Sequence, residues 1–504
     1  MDMVRRFFEI EIDEDGKAIE LDVDENECCL KDVQTRSKNF KLFQGKKILE
    51  KKEIVFKHFG KYPTIHVNFS ELVGHNFEEI FVQFKKILNK AFRQHAYLEK
   101  SSLWGRTGYN KKKFMKYFDP MKYASLDEYD VKYGLVNLAE FLHGHHGKKV
   151  YMFIDDLDVP IHSMIHQYLM SKNDKWRTIE LLQHITGNLS REYKYIGRSL
   201  YNSTLNFSSL ILQKASDISH YPFLDECMYP KFYGFEEAEV KYLLEKAGRL
   251  EDFNEIKEKY NGYNTILGGS RIELYNSWAI MNYLKTGNFD VYWPASILDK
   301  IKQTIGHAEI RPLITRIMSN IHNWLSCEIN YCRFPEISDI ETLSKALCRN
   351  EVDNYHDARF FMQFLNEQGF FRSTHSYSSV LSLKIPNRTV YSVFDEVLGS
   401  IDSINKYYNH STELIDKLTD SFEDLARLRN EEAVHALAES IVALSGRKRT
   451  LETKYELQSV LDAYMIQKFQ HVSVKCTTSL RAKCDTILVI ADLHVMFIIE
   501  YKSV

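Results

Sequence analysis

Val150-Tyr151-Met152-Phe153-Ile154 is a near-continuous apolar run that ends in Asp155-Asp156-Leu157-Asp158. A run this short, apolar on successive residues, has no side to turn to water. It predicts a strand covered on both faces, as in a parallel sheet packed between helices. The acidic residues stand at its carboxyl end, where α/β sheets place ligands. One carboxylate there can hold Mg²⁺ directly or through water, and a neighbour can polarise an attacking water. The same residues also read as a strand end running into an acidic turn before Pro160.

Length and composition add a frame. The 504 residues are enough for roughly three to four domains. Apolar residues at 44% and charged residues at 27% match an ordinary soluble globular chain. A net charge of −3 gives no overall basic field, so contact with DNA or RNA must come from local basic patches. The eight cysteines show no regular ligand or disulfide spacing. With no secretory pattern, they point to a reducing intracellular setting, cytoplasmic or nuclear. Apolar runs such as Ile487–Ile490 are far too short to span a bilayer, so no membrane is expected. Oligomeric state is not legible.

Along the chain, Met1–Phe8 reads as the end of a helix, with apolar spacing already running at Met1 and no cap before it. Thr64–Ser70 alternates like a strand after Pro63. Tyr193–Gly197 is a further strand-like piece, followed by a polar loop, Arg198–Ser209. Phe235–Val240 opens a helix with acids in its first turn, and Gly248 closes it. Ile256–Tyr260 ends another at Asn261-Gly262, and Tyr275–Trp278 and Tyr292–Ser296 form aromatic turns. From about 305 to 445 the spacing is mostly helical, with strand-like pieces at Ser379–Lys384 and Tyr391–Val393.

Five short motifs now stand in order: Phe153–Ile161, Phe232–Val240, Tyr260–Tyr263, Tyr275–Trp278 and Tyr292-Trp293. Together they resemble the AAA-ATPase-like family, whose members often carry a C-terminal PD-(D/E)XK nuclease domain. Phe153–Ile161 is similar to the family's Walker B segment, Ile-Asp-Glu-Tyr-Asp-x-Pro-Ile. The resemblance implies that Asp155 is the Mg²⁺-side carboxylate. Asp156 then stands where the family has a Glu that activates water, one methylene shorter. Departures accompany the match. A P-loop needs Gly-x4-Gly-Lys-Ser/Thr between strand and helix, so that backbone N–H groups cradle the phosphates. No such run exists here. Gly144–Lys149 comes nearest, but it precedes a strand, lacks the hydroxyl and reads as a loop. The chain is expected to begin just after its phosphate site, and ATP is not expected to be hydrolysed.

At the other end, Lys454–Phe469 is an amphipathic helix with Leu457, Val460, Leu461, Tyr464, Met465 and Phe469 on one stripe and Glu456 at its edge. Val472, Val474 and Cys476 alternate as a strand; Asp485, Ile487 and Val489 share a face of the next; Glu500 and Lys502 share a face of a third. An Asp, a spacer and a Glu-x-Lys triplet on neighbouring strands can hold Mg²⁺ for phosphodiester cleavage. The order is similar to the start of a PD-(D/E)XK nuclease core. On that resemblance Asp485 and Glu500 bind the metal, Lys502 orients water or stabilises phosphorane charge, and Glu456 is the accessory acid. An amphipathic sheet with chance charges at its edge is the competing interpretation. The family's Gly-Arg-x-Asp has become Ala482-Lys483-Cys484-Asp485, and only Ser503 and Val504 follow the triplet.

Lys41–Lys61 and Lys111–Phe118 combine lysines with aromatics. They could track a phosphate backbone or simply be solvated helix faces. The expectation is therefore an α/β chain in four parts: residues 1–230, an AAA-like parallel sheet lacking its P-loop; 231–345, a helical lid; 346–445, a mostly helical connector; and 446–504, a partial nuclease-like α/β domain. Its expected function is that of a truncated or degenerate AAA-ATPase-like protein with a nucleic-acid-related role. A Mg²⁺-dependent DNA nuclease and an NTP-binding switch without turnover are the alternatives.

Overall fold

The computed structural model describes residues 1–13, 16–19, 37–221, 229–267, 270–319, 327–332, 334–377, 380–444, 454–468, 486–490 and 495–499. The chain divides into two compact units, one of Met1–His220 with Arg333–Ser344 and one of Tyr221–Cys332 with Lys345–Val504.

The first unit is built on three parallel strands in the order β1 (Thr64–Asn68), β2 (Val150–Asp155), β3 (Ile196–Tyr201). The expected buried strand is β2, the central one: Val150, Met152, Phe153 and Ile154 are all buried. Each such side chain contributes about 1.5–3 kcal/mol relative to exposure. Register pairs Asn68 with Asp155 and Ile154 with Tyr201, so the three strands end level. Three long helices, Phe77–Gln94, Glu128–His146 and Lys172–Arg191, pack on one another. An aromatic core of Phe92, Trp104, Phe114, Tyr117 and Phe141 lies within the unit, with Phe92 stacked on Tyr117 at 4.5 Å.

Two expectations shift here. β3 begins three residues later than the apolar spacing suggests and includes Arg198 and Ser199. Gly197–Leu200 are exposed, so this strand carries polar side chains that read as loop. Gly144–Lys149 is not wholly loop either: the helix runs to His146, and Gly147, at φ 65°, ends it in the left-handed region.

The second unit holds a hairpin, β4 (Tyr263–Leu267) with β5 (Ser270–Leu274), and an antiparallel sheet β6 (Cys327–Asn330), β8 (Val380–Lys384), β7 (Arg372–Tyr377) in that spatial order. A second hairpin joins β9 (Thr486–Ile490) to β10 (Val495–Ile499). The helix opened by Glu237 runs to Ala247, before Gly248, as expected. Tyr391–Val393 is helical rather than extended, because Asn387 Oδ1 accepts from the Val390 N–H at 3.1 Å and caps the helix Arg388–Leu398. Gly262 sits at φ 99° with Pro386 O only 2.0 Å from where a Cβ would stand, so no side chain fits. Among the described residues no helix is long and apolar enough to cross a membrane.

Candidate functional site

The carboxyl edge of the parallel sheet gathers Asn68 from β1, Asp155 at the end of β2, and the loop Asp156–Asp158. Backbone bonds tie the strand ends together: Phe69 N–H donates to Asp155 O at 3.0 Å, and Leu157 N–H to Asn202 O at 2.9 Å. Asp156 adopts φ 57°, a left-handed conformation that is uncommon outside glycine. Strained backbone of this kind concentrates at functional sites.

The three aspartates have different surroundings. Asp158 is 1% exposed. Its Oδ2 accepts the Leu205 N–H at 2.6 Å, the Thr204 N–H at 2.9 Å and the Thr204 hydroxyl at 3.0 Å, and it faces His162 Nε2 at 3.3 Å. Burial pushes this carboxyl up, but His162, Leu205 and Thr204 outweigh it and hold it below the usual range. Asp158 is a clamp: it fastens the turn after β2 to the loop after β3.

Asp155 and Asp156 are only half-buried. Burial raises the Asp156 carboxyl, and the neighbouring Asp155 and Asp158 charges add to that, against the Asn68 amide and His162. The ionised form of Asp156 is therefore disfavoured by its burial and by two acidic neighbours. Mg²⁺ keeps several waters and needs only one or two carboxylates, with phosphate oxygens supplying further ligands. Among the described residues no three His, Cys, Asp or Glu side chains converge as a metal-binding group. Any ion here would therefore be held by the pair and water. His162, Thr204 and Asn68 were not singled out in the sequence. Only His162 left a signal, four residues after Asp158 on the helix Val159–His166.

Glu456 lies elsewhere, on the helix Lys454–Lys468 in the second unit, and is 5% exposed. It accepts from the Tyr408 hydroxyl at 3.0 Å and from the Thr315 hydroxyl at 3.4 Å. Beside it Arg311, 0% exposed, donates to Ser403 Oγ and Leu398 O, both at 2.7 Å, with its guanidinium over Tyr408. Glu456 faces inward, as its place at the edge of the apolar stripe implies, and belongs to a buried polar network. Asp485, Glu500 and Lys502 lie outside the described residues. The hairpin of β9 and β10 is described, with Thr486 paired to Ile499 and Phe497 edge-on to Phe422 at 5.6 Å.

The basic clusters resolve into different parts. In the helix Lys111–Phe118, Phe114 and Tyr117 are buried and Phe118 is half-buried, and only Lys111, Lys112 and Lys113 are exposed. Across Lys41–Lys61, Phe43, Val55 and Phe59 belong to an apolar cluster with Phe7 and Phe40.

No curated protein matches the chain. A solved structure titled as that of Cdc6p from Pyrobaculum aerophilum is 11% identical and covers 70% of this chain and 84% of its own, at a TM-score of 0.19, too distant to bear on fold or function. Residues 16–206 match the model of a family described as AAA-ATPase-like, predicted AAA-ATPase. That segment holds β1, β2 and β3, so the parallel sheet and its acidic edge lie within the part of the chain that is similar to this family.

Proposed function

We propose that this chain is an AAA-ATPase-like protein with a nucleic-acid-related role, whose α/β unit holds Mg²⁺ through Asp155 and Asp156 without turning over ATP. The observation that carries the reading is the half-buried carboxylate pair at the carboxyl edge of the sheet, with the Asp156 carboxyl raised by burial and by Asp155. Asp158 is already committed to Thr204 and Leu205, which leaves the pair to meet a ligand. Two features argue against turnover. The 504 residues contain no Gly-x4-Gly-Lys-Ser/Thr run, so the backbone cradle that fixes triphosphate is not among them. Asp156 also occupies the position of the water-activating Glu with a shorter arm. The exposed Lys111, Lys112 and Lys113 support a role beside a polyanion.

Mg·ATP tests this with two readouts on the same protein. The expected result is a raised melting temperature with no phosphate release above buffer. Sustained phosphate release that disappears in Asp156→Asn would overturn the proposal.

A further inference from the structure

Within the second unit a cavity of about 440 Å³ opens between the helices Phe253–Tyr260 and Ser277–Thr286 and the turn at residues 291–294. Its walls include Tyr260, Trp278, Tyr292 and Trp293, with Lys259 and Asn282 among several polar members. The polar end of each ring is tied to backbone. Trp278 Nε1 donates to Tyr292 O at 2.9 Å and Trp293 Nε1 to Gln368 O at 3.1 Å. The Tyr260 hydroxyl donates to Asp290 O at 3.0 Å and the Tyr292 hydroxyl to Asn288 O at 2.5 Å. Rings held by their edges cannot swing; Trp293 already stacks on Phe370 at 4.8 Å and Tyr260 is 2% exposed, which leaves Trp278 and Tyr292 as the rings for a ligand to stack on. Trp278 is nevertheless 65% exposed, and it lines a cavity of the size that small ligands fill.

We propose that this pocket binds a nucleobase of single-stranded nucleic acid, stacked on Trp278 and Tyr292. Chemistry selects this occupant over two others. Asn282 lines the pocket and donates one amide N–H to Trp278 O at 2.8 Å, so its side-chain amide can offer a nucleobase both a carbonyl acceptor and its other N–H. Lys259, held over the Phe289 ring at 4.7 Å, supplies a cation for the attached phosphate, in competition with Glu255 at 3.2 Å. A polyproline segment would use the rings but neither the amide oxygen nor the ammonium. A quaternary ammonium ligand would be repelled by Lys259. The site deepens the nucleic-acid half of the reading above and is independent of the carboxylate pair.

The test titrates the full chain with a labelled 12-nucleotide single strand, following anisotropy and intrinsic tryptophan fluorescence. An abasic strand of equal length and a proline-rich peptide are run in parallel. The expected result is fluorescence quenching by the base-containing strand alone, and binding about tenfold weaker in Trp278→Ala, as the loss of one base–aromatic stack implies. Trp278→Phe keeps a ring and should retain most of the affinity. If Trp278→Ala or the abasic strand binds as tightly as wild type with bases, the pocket proposal fails while nucleic-acid binding stands. No binding of any strand overturns both. Quenching by the peptide alone assigns the pocket to another ligand and also overturns the proposal.

Discussion

Replacing Asp158 and Asp156 separately should move stability in opposite directions, because the two carboxylates, two residues apart, do opposite work. Asp158 is 1% exposed and takes two backbone N–H groups, at 2.6 and 2.9 Å, and a hydroxyl at 3.0 Å. Asp158→Ala leaves the buried Leu205 N–H without this acceptor and takes one acceptor from the exposed Thr204, whose hydroxyl still meets His162 Nε2 at 2.9 Å. A stranded buried group costs about 1–3 kcal/mol. With the lost contacts to Thr204 and His162 added, about 2–3 kcal/mol is expected, which lowers the melting temperature of a unit this size by roughly 4–12 °C. Asp156→Asn keeps a residue that tolerates the left-handed backbone. It also removes a carboxyl whose pKa is raised in the folded state. A raised carboxyl stabilises the fold only below its unfolded pKa, and that stability is lost as pH rises through the folded value. At neutral pH its ionisation therefore opposes folding, and the neutral amide should raise the melting temperature. Thermal melts of wild type and both variants at pH 7, followed by circular dichroism, decide the matter. An Asp158→Ala melt within 2 °C of wild type would refute the clamp. An Asp156→Asn melt below wild type would refute the assignment of a strained, ionisation-resistant carboxylate.

Other outcomes follow from the same geometry. His95 is held down to about 3 by burial, then His146 and Arg5, and His146 to about 4 by burial, then His145 and Lys148. Both are lowered, so their stabilisation is full above pH 6.5 and is lost as pH falls toward 4; stability against urea should drop across that window, and more shallowly in His95→Gln. Gly262→Ala forces a Cβ to within 2.0 Å of Pro386 O at a φ of 99°, and a loss of about 3 kcal/mol or more is expected in the second unit by denaturant titration. Glu456→Ala takes the acceptor from the buried Tyr408 hydroxyl, while the Thr315 hydroxyl keeps Pro312 O at 3.2 Å; a cost of about 1–3 kcal/mol is expected, and an unchanged urea midpoint would count against the buried network.

What the sequence made legible were features that local pattern controls. The apolar run at Val150–Ile154 announced the central strand because no single-sided strand could carry it. The stripe from Leu457 to Met465 announced a helix with an inward-facing Glu456, and the structure buries that carboxylate. What stayed hidden depends on residues far apart. Thr204 meets Asp158 across 46 residues, and nothing in either neighbourhood announces the other. β3 was read three residues too early for a related reason: exposed Arg198 and Ser199 are carried by pairing to β2, not by their own propensity. The left-handed Asp156 gave no signal, since Asp is common in ordinary turns as well. The aromatic motifs were visible as words, but their convergence on one cavity required two helices and a turn to be placed first.

The central claim is that Asp155 and Asp156 form a cation site on the sheet's carboxyl edge. Titration with Mn²⁺ in place of Mg²⁺, reading the paramagnetic signal of the free ion, measures it directly. The account predicts one saturable ion bound by wild type with that ion lost when both Asp155 and Asp156 are changed to Asn, and unchanged binding in the double variant would contradict it.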